Sequence, residues 1–364
     1  MNPIILVVGA RPNFMKIAPI LAELSAREVP TILLHTGQHY DENMSKVFFD
    51  DLGMKEPDIH LGVGSGSHAS QTATVMVEFE KVCNEHQPSM VVVVGDVNST
   101  LACSIVSAKL LIPCAHVEAG LRSFDRQMPE EINRILTDSI ANLLLTPSAD
   151  GDENLRNEGV AEERIHRVGN IMIDSLFQNV KKAESSMIHE DLELQGEYAL
   201  FTLHRPSNVD DQETFTRIIE ALEEIAKDLE IVFPIHPRTR KMAKSFGLFE
   251  RLEKIPGIHI TEPIGYLDFV SLMAKSKLVL TDSGGLQEET TALGIPCLTL
   301  RDNTERPITV TEGTNTIVGT DKDLIVLLSK EIVDNGGKSG KIPDLWDGNT
   351  AARIADILLK YIES

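Results

Sequence analysis

Leu278-Val279-Leu280-Thr281-Asp282-Ser283-Gly284-Gly285-Leu286-Gln287-Glu288-Glu289 is the segment whose reading decides the fold. A short apolar run stops at two adjacent glycines and continues as a helix-forming pattern, which is a strand, a tight turn and a helix. Glycines between strand and helix let backbone N–H groups approach a phosphate closely, and the helix N-terminus attracts its charge. Glu289, about one turn into the helix, is placed to accept from a ribose diol. Taken alone, the segment reads equally well as a plain turn.

The same alternation extends in both directions. Strands are expected at 198–202, 231–235, 258–260 and 297–300 in the second half, with helices near 212–228, 267–275 and 284–293. In the first half strands are expected at 4–8, 31–34, 90–94, 114–117 and 143–146, with helices near 13–27, 98–110, 130–142 and 149–158. Short β-branched runs alternating with amphipathic helices predict parallel sheets covered on both faces. The fold class expected is therefore α/β, with two Rossmann-like domains facing across a cleft. Residues 1–170 plus 350–364 are expected to form the first domain and 171–349 the second. A helix over 171–183 leads into a Glu-rich passage to about Gly196, the candidate linker, and a last helix over 351–361 returns to the first domain.

Composition narrows the function. The chain has 364 residues, longer than the roughly 250 to 300 at which one core stops growing, so two domains are expected. Its 34 basic and 55 acidic side chains give a net charge of −21, which argues against nucleic-acid binding driven by phosphate neutralisation. Any anionic ligand must sit in a local pocket that works against this field. Cys83, Cys103, Cys114 and Cys297 are scattered without a Cys-x-x-Cys pair, and no apolar run reaches the ~20 residues of a membrane span. An unprocessed, reduced cytoplasmic protein is expected. The histidines show no metal-ligand spacing, so neither a metal nor any other cofactor is expected.

In open parallel sheets ligands bind beyond the carboxyl ends of the strands. Gly9-Ala10-Arg11-Pro12-Asn13 follows the first strand and places Arg11 at the sheet edge, with Lys16 a turn later; both suit an anion. Asp96 follows the strand 90–94 and reads as a possible helix cap. Glu118 ends the apolar run 114–117, where a carboxylate is neither a good cap nor at ease. Glu130 and Glu131 open a helix behind Pro129, where the macrodipole alone would favour them. His204-Arg205 closes the strand 198–202, and residues 301–307 bring further arginines to the same edge. Gly62-Val63-Gly64-Ser65-Gly66 looks dinucleotide-like but follows a poor strand and reads as a loop. Carboxylates in one half and a diphosphate cradle in the other suit chemistry on a nucleotide-linked sugar.

These motifs carry a resemblance. Gly9-x-Arg11-Pro12-x-x-x-Lys16, Thr36-Gly37-Gln38-His39, Gly95-Asp96, His116-Val117-Glu118-Ala119-Gly120-Leu121-Arg122, Pro129-Glu130-Glu131-x-Asn133-Arg134, Asp282-Ser283-Gly284-Gly285-x-Gln287-Glu288-Glu289 and Thr304-Glu305-Arg306-Pro307 are similar to those of the non-hydrolysing UDP-N-acetylglucosamine 2-epimerases, in order along the chain. The resemblance implies a fold like that of the GT-B glycosyltransferases and interconversion of UDP-GlcNAc and UDP-ManNAc without added cofactor. It implies Asp96, Glu118 and Glu130 as the acid/base set, and Arg11, His204 and Arg306 beside the diphosphate. Lys16 would stand near the carboxylates, Ser283, Gly284 and Gly285 would hold phosphate, Glu289 the ribose, and Phe269 the uracil region. Relatives suggest a homodimer, and Gln38 and His39 match a segment that binds an activating UDP-GlcNAc in bacterial members. Ala10 and Asn13, and the Pro206-Ser207-Asn208 run after Arg205, depart from the family pattern beside the site and bear on substrate choice. Rival readings are a 2-epimerase of a modified UDP-sugar such as a 2,3-diacetamido uronate, a hydrolysing epimerase, a retaining glycosyltransferase and a non-catalytic UDP-sugar sensor.

Overall fold

The computed structural model describes residues 2–37 and 54–363, and for Arg11 the backbone alone. The chain divides into two compact units, Met1–Ser175 with Asp344–Ser364, and Leu176–Pro343.

The first unit carries a seven-stranded parallel sheet in the order β3-β2-β1-β4-β5-β6-β7. Its strands are β1 (Ile4–Val8), β2 (Thr31–His35), β3 (Ile59–His60), β4 (Met90–Val94), β5 (Cys114–Val117), β6 (Leu143–Thr146) and β7 (Ile165–Arg167). β1 and β4 are the unbroken runs IILVV and MVVVV, buried at every position. Helices cover both faces of a central parallel strand, so it must be apolar on both sides. Each buried Ile, Leu or Val there contributes about 1.5–3 kcal/mol of burial free energy.

The second unit repeats this order in a six-stranded sheet, β10-β9-β8-β11-β12-β13. It comprises β8 (Tyr198–Thr202), β9 (Glu230–Pro234), β10 (Ile258–Thr261), β11 (Leu278–Thr281), β12 (Cys297–Thr299) and β13 (Asn315–Ile317). Phe201 and Phe233 meet edge to face at 4.5 Å in its core. The helices Gln212–Ile225 and Lys322–Asn335 are each capped by a carboxylate, Asp211 to the N–H of Thr214 at 2.8 Å and Asp321 to that of Leu324 at 2.9 Å.

Both sheets and the α/β class agree with the sequence reading. The short edge strands β3, β7 and β13 were not anticipated, since two or three residues show no periodicity. The Glu-rich passage expected as a linker belongs to the second unit, where Ser186 bonds Asp268 at 2.6 Å and His189 bonds the Tyr198 hydroxyl at 2.9 Å. The chain passes between the units inside the helix Ile171–Ala183 instead. The C-terminal helix Thr350–Glu363 returns to the first unit, its N-terminal N–H groups at Thr350 and Ala351 accepted by buried Asp174 at 3.1 and 2.8 Å.

Candidate active site

In the first unit, the turns after β4 and β5 carry Asp96 and Glu118, and the helix Pro129–Ile140 carries Glu130. β5 stops at Val117, and Glu118 follows with φ +71°, a left-handed conformation that non-glycine residues adopt at a cost of about 1–3 kcal/mol. The Glu118 and Ala119 N–H groups both donate to the Leu145 carbonyl, at 3.1 and 3.2 Å, and hold the turn. The Glu118 carboxylate is buried and pairs with Lys16 from the helix Arg11–Ala26. This pair lies against Gly95, where a Cβ would sit 3.5 Å from Lys16 Nζ and 3.6 Å from Glu118 Oε2. Asn13 anchors the same corner: its Oδ1 accepts from the N–H groups of Gly9 and Ala10 at 3.1 and 2.9 Å, and its Nδ2 donates to the Val94 carbonyl at 3.2 Å.

Asp96, next to Gly95, does not cap the helix Asn98–Lys109, which begins at Val97 with no side-chain cap. It accepts from Arg134 at 2.5 Å instead. A charge-assisted bond to a buried guanidinium outweighs a helix-cap bond. Asp96 keeps 34% of its side chain exposed, and it shares with Glu130 a cavity of about 290 Å³ that His68, Gln71, Asn98 and Asn133 also line. Asn133 donates to the Asp96 carbonyl at 2.8 Å, and Asn98 donates to Gln71 at 2.7 Å, so the cavity floor is pre-bonded amides.

Glu130 and Glu131 part company although adjacent. Glu131 is buried, pairs with Arg134 at 2.6 Å, and accepts from the Ser123 and Phe124 N–H groups at 3.0 and 2.9 Å. Burial would raise its pKa, but these donors hold it below the usual carboxylate range. It is a structural anchor for the loop after β5, and only Glu130 faces the cavity. The Gly62-to-Gly66 segment is a loop after β3, with the Gly64 carbonyl accepting from Gln71 at 3.1 Å.

In the second unit the corresponding strand ends converge on Asp282. It is fully buried and accepts from the N–H groups of His204 and Arg205 at 3.0 and 2.8 Å, from Asn208 at 3.2 Å, and from His204 Nδ1 at 2.9 Å. Burial favours the neutral acid, but these donors keep the carboxylate below its ordinary pKa. His204, 42% exposed, is thereby oriented with Nδ1 toward Asp282.

Ser283 precedes the helix Gly284–Leu293 as its N-cap residue. The two glycines differ. A Cβ on Gly284 would come within 2.6 Å of Glu305 Oε1, whereas one on Gly285 would meet no protein atom within 4 Å. A side chain at Gly284 would have to push the Glu305 carboxylate aside, and Gly285 leaves the helix N-terminus open. The arginines of this edge are paired: Arg306 with Glu288 at 2.7 Å and Arg301 with Glu305 at 2.8 Å. Glu305 feels burial first, but Arg306 and Arg301 overcome it and pull its pKa down to about 2. Glu289 is buried and accepts from the Tyr266 hydroxyl at 3.1 Å; burial pushes its pKa up to about 7, with Glu288 adding to the rise. Phe269 lies half-buried on the helix Tyr266–Lys275, which also carries Tyr266.

Lys16, Gly95 and Glu118 thus meet at one corner of the first unit, and Asp96 and Glu130 line one cavity there. His204, Ser283, Gly284 and Gly285 gather around Asp282 in the second. Gln38, His39 and the Arg11 side chain lie outside the described residues. Among the described residues no cluster of His, Cys, Asp or Glu is arranged to hold a metal ion, and no helix is long and apolar enough to cross a membrane. Asn13, Glu131 and Asp282 were not singled out as anchors from the sequence, because a polar residue's burial is set by partners distant in the chain.

Comparison with known proteins places these features in context. The family model described as UDP-N-acetylglucosamine 2-epimerase matches residues 22–359. A UDP-N-acetylglucosamine 2-epimerase of Methanocaldococcus jannaschii is 45% identical over 97% of this chain and 98% of its own. A UDP-2,3-diacetamido-2,3-dideoxy-D-glucuronate 2-epimerase of Pseudomonas aeruginosa is 42% identical over 98% of this chain and 99% of its own. A crystal structure of the Methanocaldococcus jannaschii UDP-GlcNAc 2-epimerase in complex with UDP-GlcNAc and UDP superposes with a TM-score of 0.89 at 44% identity, covering 98% of this chain and 99% of that one.

Proposed function

This chain belongs to the UDP-N-acetylglucosamine 2-epimerase family, and from that premise we propose that it interconverts UDP-GlcNAc and UDP-ManNAc by eliminating UDP and adding it back. The C2 proton of the sugar is not acidic while C1 is an acetal. As the C1–O bond to UDP breaks, C1 gains oxocarbenium character and C2 becomes acidic, so loss of the proton leaves a 2-acetamidoglucal and UDP. Return of UDP to C1 with a proton delivered to the other face of C2 inverts that centre. This requires carboxyl groups in different electrostatic settings, and donors that stabilise the departing diphosphate.

The acid/base set is Asp96, Glu118 and Glu130. The observation that carries the reading is Glu118: a buried carboxylate, held at a strained strand end and paired with Lys16, beside the Gly95–Asp96 turn. Asp96 and Glu130 stand on the cavity in a more exposed setting, so the three carboxyls are differentiated. The second unit takes the nucleotide part: backbone N–H groups at Ser283 to Gly285 for phosphate, His204 and Arg306 beside it, Glu289 for the ribose and Phe269 near the uracil. Arg11 would add to the diphosphate site. Lys16 holds Glu118. Four buried cysteines without a disulfide are in keeping with a cytoplasmic location, and exposed Leu136 and Ile140 on the helix Pro129–Ile140 with the expected homodimer.

Incubation with UDP-GlcNAc in deuterated water, followed by NMR, tests the reaction. Deuterium at C2 of both UDP-GlcNAc and UDP-ManNAc, with free UDP a minor leak, is the expected result. Stoichiometric free ManNAc and UDP would indicate a hydrolysing epimerase, and unchanged, unlabelled UDP-GlcNAc would overturn the proposal. The Pseudomonas aeruginosa relative makes a diacetamido uronate substrate the second reading; parallel kcat/KM values for both UDP-sugars decide between them.

A further inference from the structure

Beneath the acid/base corner lies a buried group that no step above uses. Asp138, on the helix Pro129–Ile140, is fully buried, with Oδ1 2.6 Å from His116 Nδ1. Its Oδ2 accepts from the Gly120 N–H at 3.0 Å and pairs with Arg122 at 2.7 Å. His116, equally buried in β5, places Nε2 2.8 Å from the Gly95 carbonyl. A carbonyl only accepts, so Nε2 donates to it, and Nδ1 donates to the carboxylate. Asp138 is held below the usual carboxylate range: burial opposes this, and His116, Arg122 and the Gly120 N–H overcome it. Arg122 in turn forks onto Glu158 with two bonds of 2.7 Å.

One carboxylate therefore grips two turns. Through His116 it holds the residue before Asp96, and directly it holds the residue two after Glu118. We propose that Asp138 and His116 are positioning residues, which set the Gly95–Asp96 turn and the Glu118–Gly120 turn at a fixed separation. The inference rests on the reaction proposed above. Burying charges offers little net stability, since an apolar cluster of equal volume is often as stable or more so, but it gives strong geometric restraint. Glu118 at φ +71° needs such restraint, because its strain persists only where surroundings over-determine the backbone. Gly120 adds rigidity: at φ +81°, with a Cβ site only 2.3 Å from the Gly151 carbonyl oxygen, the turn has no room to shift.

Two substitutions at one position test the proposal. In His116→Asn the amide takes the place of Nδ1, keeping the Asp138 contact and releasing the Gly95 carbonyl. In His116→Gln the amide reaches the place of Nε2 and keeps the bond to Gly95. The expected result is a kcat loss of about 100-fold in H116N, the scale of an ångström of misplacement, with KM and UDP affinity little changed. The isotope effect on [2-²H]UDP-GlcNAc should grow in H116N, and H116Q, which keeps the Gly95 bond but gives up the Asp138 contact, should restore only part of kcat. Amide hydrogen exchange at 95–97 should accelerate more in H116N than in H116Q. Asp138→Asn, which withdraws one acceptor from the group, should repeat the kcat loss and serves if H116N does not fold. Wild-type kcat in H116N, equal losses in H116N and H116Q, or a loss confined to KM would overturn the positioning role. Hydrogen exchange needs no turnover, so an inactive wild type would sink the assigned reaction while this role was still judged on exchange.

Discussion

Asp96 and Asp282 occupy the same place in two sheets of the same order, each just after the strand that follows the central crossover, β4 in one and β11 in the other. Asp96 is 34% exposed, carries one arginine and faces a cavity. Asp282 is wholly buried and surrounded by N–H donors from the turn after the neighbouring strand β8. One carboxylate stays accessible from the cavity, and the other is spent on aiming His204. The neighbouring ends diverge in the same way: β5 runs into Glu118, whereas β12 leads to the paired Arg301. A shared scaffold fixes where ligands approach. The residues at its strand ends set what each edge offers: a carboxylate open to a cavity in one, and a buried carboxylate ringed by donors in the other.

The largest effect expected is at Glu118. Glu118→Gln removes the proposed proton-transferring group while preserving shape, and should lower C2 deuterium exchange by about 10³-fold or more, within the range of general acid/base catalysis. UDP affinity, which the proposal assigns to the second unit, should stay at the wild-type level in calorimetry. Retained exchange would dissolve the contrast between the two sheet edges.

Next come two glycines. Gly120→Ala forces a Cβ onto the Gly151 backbone at a positive φ and should cost about 3 kcal/mol of stability, read as a lowered thermal midpoint. Gly285→Ala meets no protein atom and should leave the midpoint unchanged, yet weaken UDP about tenfold, equivalent to about 1.4 kcal/mol. A stability loss at Gly285, or none at Gly120, would reverse the assignment of packing to one and ligand approach to the other.

The smallest effect is a change of slope with pH inside the second unit. Glu289 has its folded pKa raised to about 7 from 4.5, so its contribution is full below pH 4.5 and is lost as pH rises through 7. Glu305 has its folded pKa lowered to about 2 from 4.5, so its contribution is present above 4.5 and is lost as pH falls through 2. Denaturant midpoints measured against pH should flatten on the neutral side in Glu289→Gln and on the acid side in Glu305→Gln. The reverse pairing would show that the two buried carboxyls had been assigned opposite environments wrongly.

Much of this was legible beforehand. The apolar runs of β1 and β4 marked central strands, and Glu118 stood out because nothing local excuses a carboxylate at the end of a buried strand. By the same local logic Asp96 reads as a possible helix cap, and it does not cap, because Arg134, 38 residues away, competes for it. Glu130 and Glu131 are indistinguishable by the macrodipole argument, and their separation into cavity wall and anchor comes from which side of the helix faces the loop at 123–124. His116 looked like one scattered histidine among several, since its carboxylate and carbonyl partners lie 22 and 21 residues away.

The amino-acid order alone determined the α/β class, the family and the strand ends that carry the candidate site residues, because periodicity and turn residues act over a few neighbours. Only the tertiary structure decided which charged groups are spent on one another: Lys16 on Glu118, Glu131 on Arg134, His204 on Asp282, Arg306 on Glu288. The reason is physical. The worth of a buried charge depends on the donors within about 3 Å of it, and most of those donors arrive from other elements of the fold.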